Sequence, residues 1–132
     1  MNMTDISGKN IVNKINFQML AKEFSEFFFV CWKDSKIEIS NVIEDYTRLK
    51  YKNIIYKGKL EIITLLFSMA SEGIEFEIID FDSMESGSRR IDIMITGNLI
   101  SKNIKHRLSI YFLLTYQNES WKLQNSILNI LI

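Results

Sequence analysis

RIDIMITGNLISKNIKHRLSIYFLLTYQNESWKLQNSILNI, residues 90–130, decides the fold. Ile91, Ile93 and Ile95 alternate with Asp92, Met94 and Thr96. After a turn at Asn103, Leu108, Ile110, Phe112 and Leu114 alternate with Arg107, Ser109 and Tyr111. Gln117-Asn118-Glu119 turns the chain again, and Trp121, Leu123, Asn125 and Ile127 then alternate with Lys122, Gln124 and Ser126. A period of two sends successive side chains to opposite faces of a strand. Upstream, Phe76, Ile78 and Asp80 alternate with Glu75, Glu77 and Ile79, and Ser86-Gly87-Ser88 links that run to the next. Four consecutive strands with short loops predict an antiparallel meander.

Before this block the period is helical. Phe17, Leu20, Ala21, Phe24, Phe27, Phe28 and Cys31 recur at three- and four-residue steps, with Gln18, Lys22, Glu23, Ser25 and Glu26 between them. That pattern predicts an amphipathic helix with a wide aromatic stripe. A row of phenylalanines needs a cover, and a sheet supplies one. Ser35 is expected to cap a short second helix through Ile37, Ile39, Val42 and Ile43. Tyr46 to Tyr51 reads as a strand, Lys52-Asn53 as a turn and Ile54–Tyr56 as a return strand. Gly58 opens a third helix that is expected to bury Leu60, Ile63, Leu66, Phe67 and Ala70.

The order of helices, strand pair, helix and four strands predicts an α+β cone, with N-terminal helices packed on a curved antiparallel sheet. The chain divides into a loose tail, residues 1–12, and one domain, residues 13–132. Several strand residues expected to face outward are not polar: Ile79, Phe81, Met94, Tyr111, Leu113, Leu128 and Ile130. A sheet with helices on one face and apolar residues on the other is expected to bury that second face on another subunit.

Composition narrows the function classes. With 132 residues and 47% hydrophobic content, the chain has material for one core. Zero formal net charge removes any whole-chain pull toward nucleic acid or anionic lipid. Cys31 is the one cysteine, so no intramolecular disulfide forms, and its place in an apolar stripe reads as core. Met1 to Asn10 lacks the apolar region of a signal peptide, and no apolar run approaches the roughly 18 residues of a membrane span. The expectation is a cytosolic or nuclear protein.

Shorter pieces carry a resemblance. Phe24 with Phe28-Phe29, the segment YTRLKYKNIIYKG (residues 46–58) followed by Lys59, Thr96-Gly97-Asn98-Leu99, Phe112-Leu113-Leu114, and Trp121-Lys122 with Asn125 stand in one order. Together, from about Phe17 to Leu131, they resemble the nuclear transport factor 2 family. The resemblance implies a cone fold, dimerisation through the open sheet face, and work by binding. It also implies a cavity and partner site at Tyr51, Lys52, Met69, Ile74, Lys102 and Leu128. Phe17 matches an aromatic that helps bind Phe-Gly repeats of nucleoporins. The sheet dimer face would carry Ile79, Phe81, Met94, Tyr111 and Leu113.

Departures from the pattern refine this. Where the family's import carrier has a Trp-Glu pair and acidic residues that receive the GDP form of Ran, this chain has Tyr51-Lys52 and Ser101-Lys102-Asn103-Ile104. Like charges set opposite each other cost several kcal/mol, which argues against Ran–GDP binding. The family's last-strand Asp and Arg match Ser126 and Asn129. The extra N-terminal residues, EFEIIDFDS (residues 75–83) and Trp121-Lys122 are similar to the branch of small export proteins, which pair with the same-fold domain of a larger mRNA-export receptor. The implied localisation is the nucleus, nuclear pore and cytoplasm.

Enzymes also use this fold, so chemistry has to be sought in residues. His106, between Lys105 and Arg107, reads as a solvated surface histidine. Asp80 or Asp92 would serve acid–base work only beside Tyr51 in the cavity; the simpler reading pairs them with Arg89, Arg90 or Arg107. No His/Cys cluster suggests a metal, and no Gly-rich loop precedes a helix to cradle phosphate. Ser88-Arg89-Arg90 and Lys105-His106-Arg107 read as solvated loop charges. The expectation is a non-enzyme without cofactor, direct nucleic-acid contact or membrane contact.

Overall fold

A computed structural model describes residues 16–131. The tail expected over residues 1–12, and the first residues of the expected domain, lie outside the described residues. The elements are α1 (Phe17–Lys33), a 3-10 turn (Ile37–Asn41), β1 (Ile43–Tyr51), β2 (Ile54–Lys57), α2 (Gly58–Ala70), β3 (Ile74–Glu85), β4 (Arg90–Ser101), β5 (Ile104–Gln117) and β6 (Ser120–Leu131).

Asn16 starts α1: its side chain accepts the Met19 N–H at 3.0 Å, satisfying one of the orphan donors of the first turn. The aromatic stripe then enters the core. Phe24 and Phe28 set their rings 5.1 and 4.8 Å from Phe112 of β5. Phe29 and Trp32 lie 4.7 and 4.8 Å from Phe76 of β3. Trp32 is fully buried, and its Nε1–H donates to the Leu66 carbonyl of α2 at 3.0 Å. One side chain thus joins both helices and the sheet.

The expected second helix shrinks to the 3-10 turn. Ser35 does not cap it: its φ of 52° places it in a left-handed turn, and the capping position is Lys36 without a side-chain hydrogen bond. Val42 closes the turn and Ile43 begins β1, where a β-branched residue fits a pleated strand better than a helix. In α2 the buried row is Ile62, Leu66 and Ala70, at four-residue steps. Leu60, expected inside, is 81% exposed. It lies about 200° around the helix from Ile62. Gly58 begins α2 with φ of 88°, a conformation that a side chain would strain.

The sheet runs β2-β1-β6-β5-β4-β3. It is mixed, and not wholly antiparallel as expected: β1 and β6 pair in parallel. After the β1–β2 hairpin, α2 carries the chain to the far edge, and the meander returns β6 beside β1 in the same direction. Thr47 holds that junction. It is fully buried, donates to the Leu123 carbonyl and accepts the Glu44 N–H at 2.8 Å.

Two bulges break the strict alternation. In β3, Ile78 pairs with Gly97 but Asp80 pairs with Thr96, so Ile79 is extra. Between β5 and β6, Leu113 pairs with Asn125 but Leu114 with Leu123, so Gln124 is extra. Each extra residue reverses the faces that follow it. Phe81 turns inward against Ile95, and Ser126 and Leu128 face the core while Asn125 and Ile127 face out. Gly97 permits the first bulge, since a β-carbon there would sit 2.1 Å from the Glu77 carbonyl oxygen.

Gly97→Ala is therefore expected to destabilise the protein by roughly 3 kcal/mol, because backbone and not a movable side chain stands in the way. Urea unfolding measures this. A loss below about 0.5 kcal/mol would mean that β3 does not approach β4 so closely.

Candidate functional site

The open sheet face is set by register. One row crosses Asp82, Met94, Tyr111, Ile127, Lys50 and Ile55. The adjacent row crosses Met84, Asp92, Leu113, Asn125, Arg48 and Lys57. Met84, Met94, Ile127 and Ile55 are exposed, at 66, 50, 45 and 51%. The centre of the face is thus an apolar strip. On its β3–β4 side lie Asp82, Asp92 and Arg90, and on its β1–β2 side Arg48, Lys50 and Lys57.

Of the five residues expected on this face, Met94 and Tyr111 stand on it, and Leu113 stands on it while 8% exposed. Ile79 is 62% exposed at the bulge. Phe81 is a correction: the bulge turns it to the helix-covered side, where it packs against the core. Leu128 and Ile130, read as outward, also lie inward for the reason given for β6: Leu128 is 1% exposed and Ile130 packs against the core. Ile127, read as inward, takes the exposed place.

A polar triad sits within the face. The Tyr111 hydroxyl donates a hydrogen bond to Asp92 Oδ1, and the Arg90 guanidinium lies 3.3 Å from the same oxygen. Burial first, and then the neighbouring Asp92, push the Tyr111 phenol above its ordinary value. It stays protonated and donating at neutral pH.

The expected cavity residues lie elsewhere. Tyr51, half-buried, ends β1 opposite Leu128, and Lys52 reaches over its ring at 5.4 Å. Met69 packs partly against the core near the end of α2, and Ile74 is buried at the start of β3. Lys102 pairs with Glu72 at 2.7 Å in the open, and that pairing holds the Glu72 carboxyl below the usual range. Tyr51 and Leu128 face the helices, whereas Asp80 and Asp92 belong to the open face, so neither carboxylate shares a side of the sheet with Tyr51.

One groove was not foreseen from the sequence. It holds about 620 Å³ between α1 and the β3 edge, floored by Phe29, Phe76, Ile78, Phe81 and Ile95. The Lys33–Glu75 ion pair, 3.1 Å, bridges its rim. Only the bulge brings Phe76 and Phe81 to one side, and nothing in the alternation announced that.

Phe17 is half-buried and meets Trp121 edge-on at 6.1 Å. Trp121 packs on Tyr116 at 5.4 Å, and Arg89 lies over the Tyr116 ring at 5.5 Å. His106 is half-buried opposite Leu99. Cys31 is buried, which raises its thiol pKa first, with the Glu38 charge adding to it. Among the described residues no group of three His, Cys, Asp or Glu side chains forms a metal site, and no helix is long and apolar enough to cross a membrane.

No family model matches the chain. Nuclear transport factor 2 of Kluyveromyces lactis is 23% identical over 116 residues, which cover 86% of this chain and 93% of that protein. Nuclear transport factor 2 of Cryptosporidium parvum superposes with a TM-score of 0.77 at 16% identity, over 86% of this chain and 94% of that one. The yeast UBP3-associated protein BRE5 superposes with a TM-score of 0.76 at 15% identity, over 89% of this chain and 98% of that one. A chain of the yeast deubiquitinase Ubp3 and Bre5 cofactor complex matches at 0.74 and 12% identity, over 89% of this chain and 99% of that one. The fold is the nuclear transport factor 2-like fold, and the resemblance to that family carried by the residues stands.

Ser126 is 2% exposed beside Leu49 and Phe112, and its hydroxyl has no hydrogen-bond partner among the described residues. Ser126→Ala removes an unpaired buried hydroxyl. Its melting temperature is expected to hold or rise, with a gain of up to about 1 kcal/mol. A loss of that size would reveal a partner for the hydroxyl.

Proposed function

We propose that this chain is a non-catalytic nucleocytoplasmic transport factor that acts by binding, pairing through its open sheet face with a domain of the same fold. One observation carries the reading: an exposed apolar strip crosses the centre of a sheet whose other face is already covered by helices. Water contact along such a strip costs about 25 cal/mol per Å², so a partner that covers it is favoured. The relative named nuclear transport factor 2 supports the transport setting, in nucleus and cytoplasm. The Bre5–Ubp3 complex supports a protein partner for this fold.

The finer reading is the export-cofactor role, pairing with a larger receptor. It is supported by the cations at the end of the sheet. Lys52 and Lys102 stand at the positions that match the import carrier's acidic acceptors for Ran, although Lys102 is paired with Glu72. At the pore, the half-buried Phe17 on Trp121 offers an aromatic ledge for Phe-Gly repeats. Single-ring contacts of this kind are weak and fast, as transit demands. A non-catalytic role agrees with the separation of Tyr51 from both carboxylates.

Met94→Glu and Ile127→Glu each place a charge in the strip while replacing an exposed side chain. Both are expected to abolish pairing in light scattering while stability changes by less than about 0.5 kcal/mol. Pairing equal to wild type would remove the sheet face from the proposal. Separately, Phe17→Ala is expected to weaken binding of a Phe-Gly-repeat peptide roughly tenfold in an NMR titration. Unchanged affinity would move that contact away from Phe17.

A further inference from the structure

β3 ends the sheet order, and among the described residues no strand pairs with its outer side. Register tells which of its backbone groups are free. The Ser86 N–H donates to the Arg90 carbonyl at 2.9 Å, and pairing runs without a shift from Glu85–Ile91 back to Asp80–Thr96. Bonded and non-bonded pairs alternate along an antiparallel ladder, so Met84, Asp82 and Asp80 bond to β4, while Glu85, Ser83 and Phe81 aim their N–H and C=O groups away from it. The Ser83 N–H finds its acceptor in the neighbouring Asp82 Oδ1, at 3.0 Å, where a further strand would supply a carbonyl. Such an edge is a template for another strand.

Side chains on the two faces of this edge differ in kind. Phe81 and Ser83 lie on the helix side, opposite Ile95 and Ile93, beside the groove between α1 and β3. Its floor is aromatic and aliphatic, and Val30, 47% exposed, stands on its α1 wall. Asp80 and Asp82 lie on the other side. β3 carries Glu75, Glu77, Asp80, Asp82 and Glu85, and no Lys or Arg. Lys33 and Lys105 neutralise Glu75 and Glu77. Among the described residues Asp80, Asp82 and Glu85 have no ion-pair partner.

We infer that the β3 edge from Asp80 to Glu85 docks an extended segment of a separate partner protein, in which apolar residues alternate with Lys or Arg. A strand added about 4.8 Å beyond β3 sends every second side chain into the groove, against Phe81 and Val30, and the others beside Asp80 and Asp82. One of its carbonyls takes the Ser83 N–H and releases the Asp82 carboxylate to a cation. Main-chain bonds then give affinity, and the two unlike faces give specificity. A second copy of β3 does not fit, because it would lay carboxylates against carboxylates. The edge and groove lie apart from the Met94 strip, so this docking is independent of pairing through the open face.

The test is an NMR titration of the full chain with a synthetic peptide of about ten residues, alternating Lys with Val and one central Phe. The Phe81, Ser83 and Glu85 amides are expected to shift and to exchange more slowly with water. Two N-methylated versions of the peptide probe the main chain. Methyls on the amides that face β3 are expected to weaken binding roughly tenfold or more, and methyls on the alternate amides by less than about twofold. Exchanging the Lys residues of the peptide for Glu, or Val30→Glu in the exposed groove wall, is expected to cost roughly tenfold as well. Val30→Glu is expected to leave pairing in light scattering unchanged, and Met94→Glu to leave peptide binding unchanged, so failure of either surface is seen separately. Equal effects of the two methylation patterns overturn strand addition, and a Glu peptide that binds as well as the Lys peptide overturns the charge rule. Amides of Phe81, Ser83 and Glu85 that are already protected without peptide mean that the chain fills the edge itself, or that a second copy does if protection rises with concentration; either result overturns the separate partner.

Discussion

The fold depends on Trp32. Its ring is fully buried among Phe28, Phe29 and Phe76, and its indole N–H ends on the Leu66 carbonyl. That one bond, in a dry environment, links the aromatic helix to the second helix, and the ring links both to the edge of the sheet. A buried indole N–H without an acceptor costs about 1–3 kcal/mol, so the position of α2 is tied to the position of α1. With both helices fixed on one side, the sheet has only its other side left to offer.

That other side is shaped by two irregularities. The bulge at Ile79, made possible by Gly97, and the extra Gln124 in β6 each reverse the faces downstream. They bring Phe81 and Leu128 into the core and set Ile127 beside Met94 and Tyr111. Without them the strip would hold a phenylalanine and lack an isoleucine. The apolar character of the face, on which the proposed pairing rests, follows from where these extra residues fall.

Much of the fold was legible. Period two from Ile91 to Leu114, and the three- and four-residue steps from Phe17 to Cys31, correspond to β4, β5 and α1. Errors follow from features that pattern does not encode. Ser35 looks like a cap but sits at φ 52°, Leu60 shares hydrophobicity with Ile62 but not its azimuth, and the parallel β1–β6 pair is a matter of chain path. The site was legible only where alternation ran unbroken: Met94 and Tyr111 stand on the open face as read. Phe81 lies beyond a bulge, and the groove that it floors was invisible for the same reason. Tyr51, Met69, Ile74 and Leu128 came from resemblance, and the structure spreads them between half-buried and core positions.

The central claim is that the strip around Met94 is covered when the protein works. Methyl NMR on protein labelled at methionine Cε tests it most directly, because Met84 and Met94 lie on the open face while the exposed Met19 lies on α1. Over a concentration series, or on addition of a same-fold receptor domain, the Met94 and Met84 signals are predicted to shift and lose contact with a soluble paramagnetic agent, with Met19 unchanged. A Met94 methyl that stays in full contact with that agent throughout would contradict the account.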